Sequence, residues 1–177
     1  MKVKTHYMLA KIALYKLKNE NRIKSSSPLR EQLFCIGTIL PDFLLTQFIH
    51  RHFYEHSGSY VINKIKKLMN RKSLFSALEY GKLAHYLCDF CCSVHRDGKI
   101  GNAAEHIRYE RGINRFVEKS AEKLKKEKSS GSIFKVPEKA IHSAISKHIE
   151  GRRYDIASDV KASLAMCELI GEKAFSS

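Results

Sequence analysis

Residues 73–92 read Ser-Leu-Phe-Ser-Ala-Leu-Glu-Tyr-Gly-Lys-Leu-Ala-His-Tyr-Leu-Cys-Asp-Phe-Cys-Cys, from Ser73 to Cys92. Apolar side chains fall on nearly every face of a 3.6-residue spiral. The segment therefore predicts a helix at the centre of a domain rather than on its surface. Ser73 is placed to cap its start. His85 and Asp89 are four residues apart, which sets them on one face, about 6 Å from each other at Cβ. Gly81 lies one turn earlier on that face and would let a neighbouring helix or a metal approach closely.

Working outward, helical spacing continues through most of the chain. Leu9, Ala10, Ile12, Ala13, Leu14 and Leu17 predict a helix over 5–18 with Thr5 as its cap. Ser27-Pro28 offers a cap followed by proline at the first helical position, opening a helix through Ile39. Pro41-Asp42 punctuates the chain, and 43–53 reads as a short buried segment. Ser57 is expected to cap a helix to about Asn70. Asn102 begins a long helix through about Lys125, residues 126–134 read as a mobile loop, and helices near 137–149 and 154–174 close the chain. Three prolines and nine glycines in 177 residues argue against a loop-rich or all-β chain, and 44% apolar content suffices for one core. The expectation is one all-α, multi-helix domain over 1–177, with a multinuclear metal site between its central helices.

Lys and Arg number 32 against 18 acidic residues, a formal net charge of +14. That excess favours polyanions: anionic lipid headgroups, phosphorylated substrates or nucleic acid. The Lys-rich stretches 64–72 and 119–128 are most simply solvated helix faces. Aromatic residues are not interleaved with them as base stacking would need. Five cysteines, an odd number with Cys88, Cys91 and Cys92 in one helix, do not form a disulfide framework and suit a reducing compartment. The N-terminus lacks the apolar run and cleavage site of a signal peptide, and nowhere do about 18 apolar residues run together. A cytoplasmic location is expected.

The chemistry is carried by imidazoles and carboxylates. His106 and Glu110 repeat the four-residue spacing on the helix after His85 and Asp89, with His95 in the turn between. Two antiparallel helices presenting such pairs resemble the inward-facing metal sites of helical bundles. A single pair is more often a surface hydrogen bond. Two pairs in apolar stretches are harder to dismiss, because an ionised carboxylate there needs a cation or a donor. His6 shares the apolar face of its helix; a core histidine satisfied by a carbonyl is the plainer reading. Asp42 taken alone is a helix cap. Cys92, seven residues after His85, reads as buried and inert, as do Cys88 and Cys91. His142 and His148 read as surface or packing residues.

In order, Thr5-His6, Gly37-x-x-x-Pro-Asp42, His56, His85-x-x-x-Asp89, His95 and His106-x-x-x-Glu110 resemble the pattern of the zinc-dependent phospholipase C family. That group contains the bacterial phosphatidylcholine-hydrolysing phospholipases and the clostridial alpha-toxin catalytic domain, and the single-strand-specific zinc nucleases share a related fold and site. The resemblance runs from residue 5 to about 115. It implies two or three zinc ions: one on Asp42, His56, His85 and Asp89, one on His95, His106 and Glu110, and a third on His6 and Asp89, with Asp89 bridging. His50 and His52 are alternatives to His56. The family completes the last site with the amino group and carbonyl of a processed N-terminal tryptophan. This chain has no tryptophan, which leaves that site empty, water-completed or closed by another side chain. The implied activity is phosphodiester hydrolysis by a zinc-activated hydroxide, with Asp42 as general base, on a phospholipid headgroup or related phosphodiester. Peripheral contact with an anionic membrane is allowed, nucleic acid is the less favoured substrate, and no obligate protein partner is implied. A non-catalytic metal-binding member is the further alternative.

Overall fold

The computed structural model describes residues 1–23, 27–43, 53–68, 73–95, 103–129, 141, 143, 145–146 and 155–175. Among these it is all-helical, with no strand: α1 (Val3–Asn19), α2 (Pro28–Gly37), α3 (Leu40–Phe43), α4 (Tyr54–Leu68), α5 (Leu74–Phe90), a 3-10 turn (Ser93–His95), α6 (Ala103–Lys126) and α7 (Ile156–Phe175).

Helix α5 forms because Ser73 accepts a hydrogen bond from the Ser76 amide (3.2 Å) and an unbroken apolar run follows. It packs against α2, α4 and α7, while α1 packs against α6 and α7. Leu83, Leu87 and Phe90 are buried along it. Each such side chain contributes about 1.5–3 kcal/mol on full burial. Together they offset the several kcal/mol needed to carry ionisable groups such as His85 and Asp89 into the interior.

The close approach expected at Gly81 is made by α2. A Cβ on Gly81 would stand 2.1 Å from the Phe34 carbonyl oxygen, and one on Gly37 would stand 2.3 Å from that of Leu78. Only glycine at both positions lets the two backbones touch. The helix opened by Pro28 stops at Gly37, short of Ile39, and the Thr38 hydroxyl turns back to donate to the Cys35 carbonyl (2.7 Å).

Three local readings differ from the structure. Helix α1 begins at Val3, so Thr5 lies inside it, with its hydroxyl donating to the Asn114 side-chain oxygen on α6 at 3.1 Å. Helix α4 begins at Tyr54, so Ser57 is an interior, buried residue and not a cap. For Thr5, a tertiary contact takes up a hydroxyl that local rules assign to a helix end. Phe43 is 69% exposed, and Pro41 is the buried residue of the four-residue α3. Residues 44–52, most of the loop expected over 126–134, and most of the helix near 137–149 lie outside the described residues, though Ile141 and Ile145 are buried in the core. All five cysteines are free and buried. No helix among the described residues is long and apolar enough to cross a membrane.

Candidate metal centre

Helix α2 ends where it does with a consequence for α5. Past the last helical turn the Thr38 carbonyl has no helical partner, and His85 Nδ1 lies 2.9 Å from it. A carbonyl only accepts, so Nδ1 carries a proton. In neutral His85 the Nε2 lone pair then faces carboxylate oxygens, with Asp89 Oδ2 at 3.3 Å and Asp42 Oδ1 at 3.7 Å. Lone pairs facing each other repel unless a proton or a metal ion lies between them.

His6 stacks on His85 with ring centroids 4.1 Å apart and is fully buried. Its Nε2 lies 3.2 Å from Asp89 Oδ1, but out of hydrogen-bonding alignment, so neither ring nitrogen has a hydrogen-bond partner among the described residues. A buried imidazole left this way costs about 1–3 kcal/mol, a penalty that coordination to a cation would remove. One donor atom each from His6, His85 and Asp89 lie within 4.8 Å of one another.

A second group of the same tightness joins His95, His106 and Glu110. Glu110 Oε1 is 3.1 Å from His106 Nε2 and 3.3 Å from His95 Nε2. The two groups meet at the α-amino group of Met1, which donates to Asp89 Oδ1 (2.6 Å) and lies 3.2 Å from His95 Nε2 and 3.3 Å from Glu110 Oε1. This ammonium places a positive charge between the two carboxylates.

Electrostatics follow from that arrangement. Burial would depress the Met1 amine, but Asp89 first, followed by Cys92 and Glu110, outweighs it and raises it to about 11. Burial alone would raise Asp89; the ammonium and the imidazoles of His95, His6 and His85 instead hold it well below the usual carboxylate range. Glu110 is likewise brought down to about 2, against the effect of its burial, by the hydrogen bond from His95, the ammonium and both imidazoles. His95 is lowered by burial and by the nearby ammonium. His95, kept neutral beside ionised carboxylates, is in the protonation state a metal requires. The nitrogen and oxygen donors suit zinc. Burial pushes the Cys92 thiol up, which keeps it protonated and a poor ligand.

Seven of the eight residues singled out in the sequence thus stand at one place. His6, His85 and Asp89 form one group, His95, His106 and Glu110 the other, and Asp42 faces His85 from α3. His56 joins neither: it is exposed on the first turn of α4, and the Phe53 ring contacts both it and His95, with centroids 6.1 Å away in each case. His50, His52, His142 and His148 lie outside the described residues. Sequence reasoning missed the Met1 amine and the Thr38 carbonyl. The first had a signal, since Met1 precedes His6 by little more than one helical turn; a backbone carbonyl leaves none.

The sequence profile described as "Zinc dependent phospholipase C" matches residues 5–158. No curated protein and no solved structure matches the chain. Since that profile spans most of the 177 residues and takes in both groups of converging side chains, the chain belongs to the zinc-dependent phospholipase C family.

Proposed function

We propose that the chain is a zinc-dependent phosphodiester hydrolase of the phospholipase C type, which splits a phospholipid or related phosphodiester into an alcohol and a phosphomonoester. The observation that carries this reading is the convergence of two His/carboxylate groups, one fully buried and one half-buried, on either side of the Met1 amine. His6, His85 and Asp89 would hold one ion and His95, His106 and Glu110 another, with the Met1 amine, once deprotonated, available to a shared or third position. Bound zinc would supply Lewis acidity, lowering the pKa of water and neutralising phosphate charge.

The chain's own residues set the rest. Asp42, half-buried on α3, is the proposed general base that takes a proton from the attacking water. The water oxygen forms a new bond to phosphorus, the phosphorus–oxygen bond to the alcohol breaks, and the departing alkoxide takes up a proton. Thr38 holds His85 in the tautomer that offers Nε2. Five buried free thiols support a reducing, cytoplasmic setting.

A second reading is a nuclease on the same site. Arg108, Arg111 and Arg115 line a cavity of about 780 Å3 on the outer side of α6, with Tyr109 and Ile156, and the net charge is +14. Such a surface suits a nucleic-acid backbone as well as an anionic bilayer.

The test assays a chromogenic phosphocholine diester and a single-stranded oligonucleotide, each with and without chelator. Chelator-sensitive cleavage of the diester supports the first reading, and cleavage of the oligonucleotide alone supports the second. Two bound zinc ions with neither activity leave a non-catalytic, metal-binding member of the family.

A further inference from the structure

We propose that Asp159, in the first turn of α7, is the positioning residue that sets the spacing between the two segments bearing His95, His106 and Glu110. The proposal rests on reading that group as a metal site. Asp159 is 2% exposed and belongs to neither group of converging side chains. Its Oδ2 accepts from the Ser93 amide at 2.7 Å and from the Tyr109 hydroxyl at 2.8 Å, and its Oδ1 accepts from the Ser93 hydroxyl at 3.0 Å.

These three bonds join the two halves of the group. Ser93 opens the 3-10 turn that ends at His95, and Tyr109 immediately precedes Glu110 on α6. The 3-10 turn and α6 belong to different segments, and their metal-facing atoms meet at Glu110 Oε1. One carboxylate that grips the backbone of the first and a side chain of the second holds their spacing. The grip is itself anchored: Asp159 sits one turn into a 20-residue helix whose start is fixed by Asp155 Oδ1 accepting from the Ala157 amide (3.1 Å). A negative group in the first turn also complements the helix dipole. Hydrogen bonds to an ionised carboxylate are roughly twice as strong as neutral ones. Residues that orient metal ligands in this way change metal affinity by about 10–100-fold when lost.

The experiment titrates metal-stripped full-length protein with zinc in competition with a chromophoric chelator, and records the visible spectrum of the cobalt(II)-loaded form. The ion lost in Glu110→Ala is assigned to this group. Asp159→Ala is expected to weaken that ion about 10-fold or more and to alter the cobalt spectrum, leaving the His6, His85 and Asp89 ion unchanged. Asp159→Asn should restore most of the affinity, because an amide oxygen can still accept from Ser93 N while the rotatable Ser93 hydroxyl accepts from the amide nitrogen. Glu168→Gln, which breaks the buried Lys16–Glu168 pair elsewhere on α7, controls for general loosening of the helix.

Asp159→Ala with the wild-type affinity and spectrum overturns the proposal while leaving the metal reading intact. So does an equal loss of affinity in Glu168→Gln. Wild-type protein that takes up no ion at this group overturns both. Should Asp159→Ala fail to fold, Tyr109→Phe removes one of the three bonds and is expected to weaken the same ion a few-fold; no change there counts against the role.

Discussion

At the scale of single residues, the centre is a balance between a few buried charges, and its pH dependence can be derived. Glu110 is held down to about 2, and Asp89 well below its ordinary value. A carboxylate depressed on folding contributes stability that is present above its unfolded pKa, near 4, and lost as pH falls toward the folded one. Metal-free protein should therefore lose stability steeply between about pH 4 and 2. Urea midpoints measured at pH 7, 4 and 3 check this, and Asp89→Asn should flatten the acid limb. An unchanged limb in that variant would mean that Asp89 is not ion-paired in solution. The Met1 amine permits a second residue-level test. Protein beginning at Met1 is compared with protein carrying extra residues before it. The extension replaces a primary amine with an amide, so zinc affinity at the position nearest Asp89 should fall at least about 10-fold, as for loss of an orienting partner. Equal zinc-binding isotherms for the two forms would remove the amine from the ligand set.

At the scale of helices, the meeting of α2 and α5 couples the fold to the centre. The methyl group in Gly81→Ala would enter the space of the Phe34 carbonyl, 2.1 Å away, and backbone cannot swing aside. Overpacking of this kind costs about 1–3 kcal/mol or more. Parting the helices also draws Thr38 away from His85. Gly81→Ala should thus lower both the thermal midpoint and zinc affinity; normal affinity with reduced stability would uncouple the two effects. Helix α5 was legible because its apolar residues leave no polar face, and α6 because His106, Glu110, Ile113 and Val117 fall on one stripe. The two His/carboxylate pairs on these helices were legible for the same reason, since spacing alone puts His85 beside Asp89 and His106 beside Glu110. What misled were single hydroxyls and a helix start. Thr5 and Ser57 satisfy local capping rules, yet long-range packing placed both inside helices. Helix α4 starts at Tyr54 and not at Ser57, and His56 stands exposed on its first turn. Asp159 carried no sequence signal, because its partners Ser93 and Tyr109 are distant along the chain.

At the scale of the whole molecule, the fold gathers imidazoles and carboxylates from separate segments around one centre. His6 comes from α1, His85 and Asp89 from α5, His95 from the 3-10 turn, and His106 and Glu110 from α6. None of these contacts is local except the two four-residue pairs, so the unfolded chain has no preformed site and binds ions weakly. Metal binding free energy then adds to folding free energy. A ligand present at about 1,000 times its Kd stabilises by about 4 kcal/mol, and for a chain of this length each kcal/mol moves the thermal midpoint by about 2–4 °C. Removing two zinc ions with a chelator should accordingly lower Tm by roughly 20 °C, about 10 °C for each ion, and adding zinc back should restore it. The same treatment of Glu110→Ala should produce about half that shift, because one of two groups is already broken. Calorimetry of the four samples decides the matter. A chelator-insensitive Tm in the wild type would mean that the Met1 ammonium alone balances Asp89 and Glu110, and that the buried cluster is a salt-bridge network in which no metal takes part.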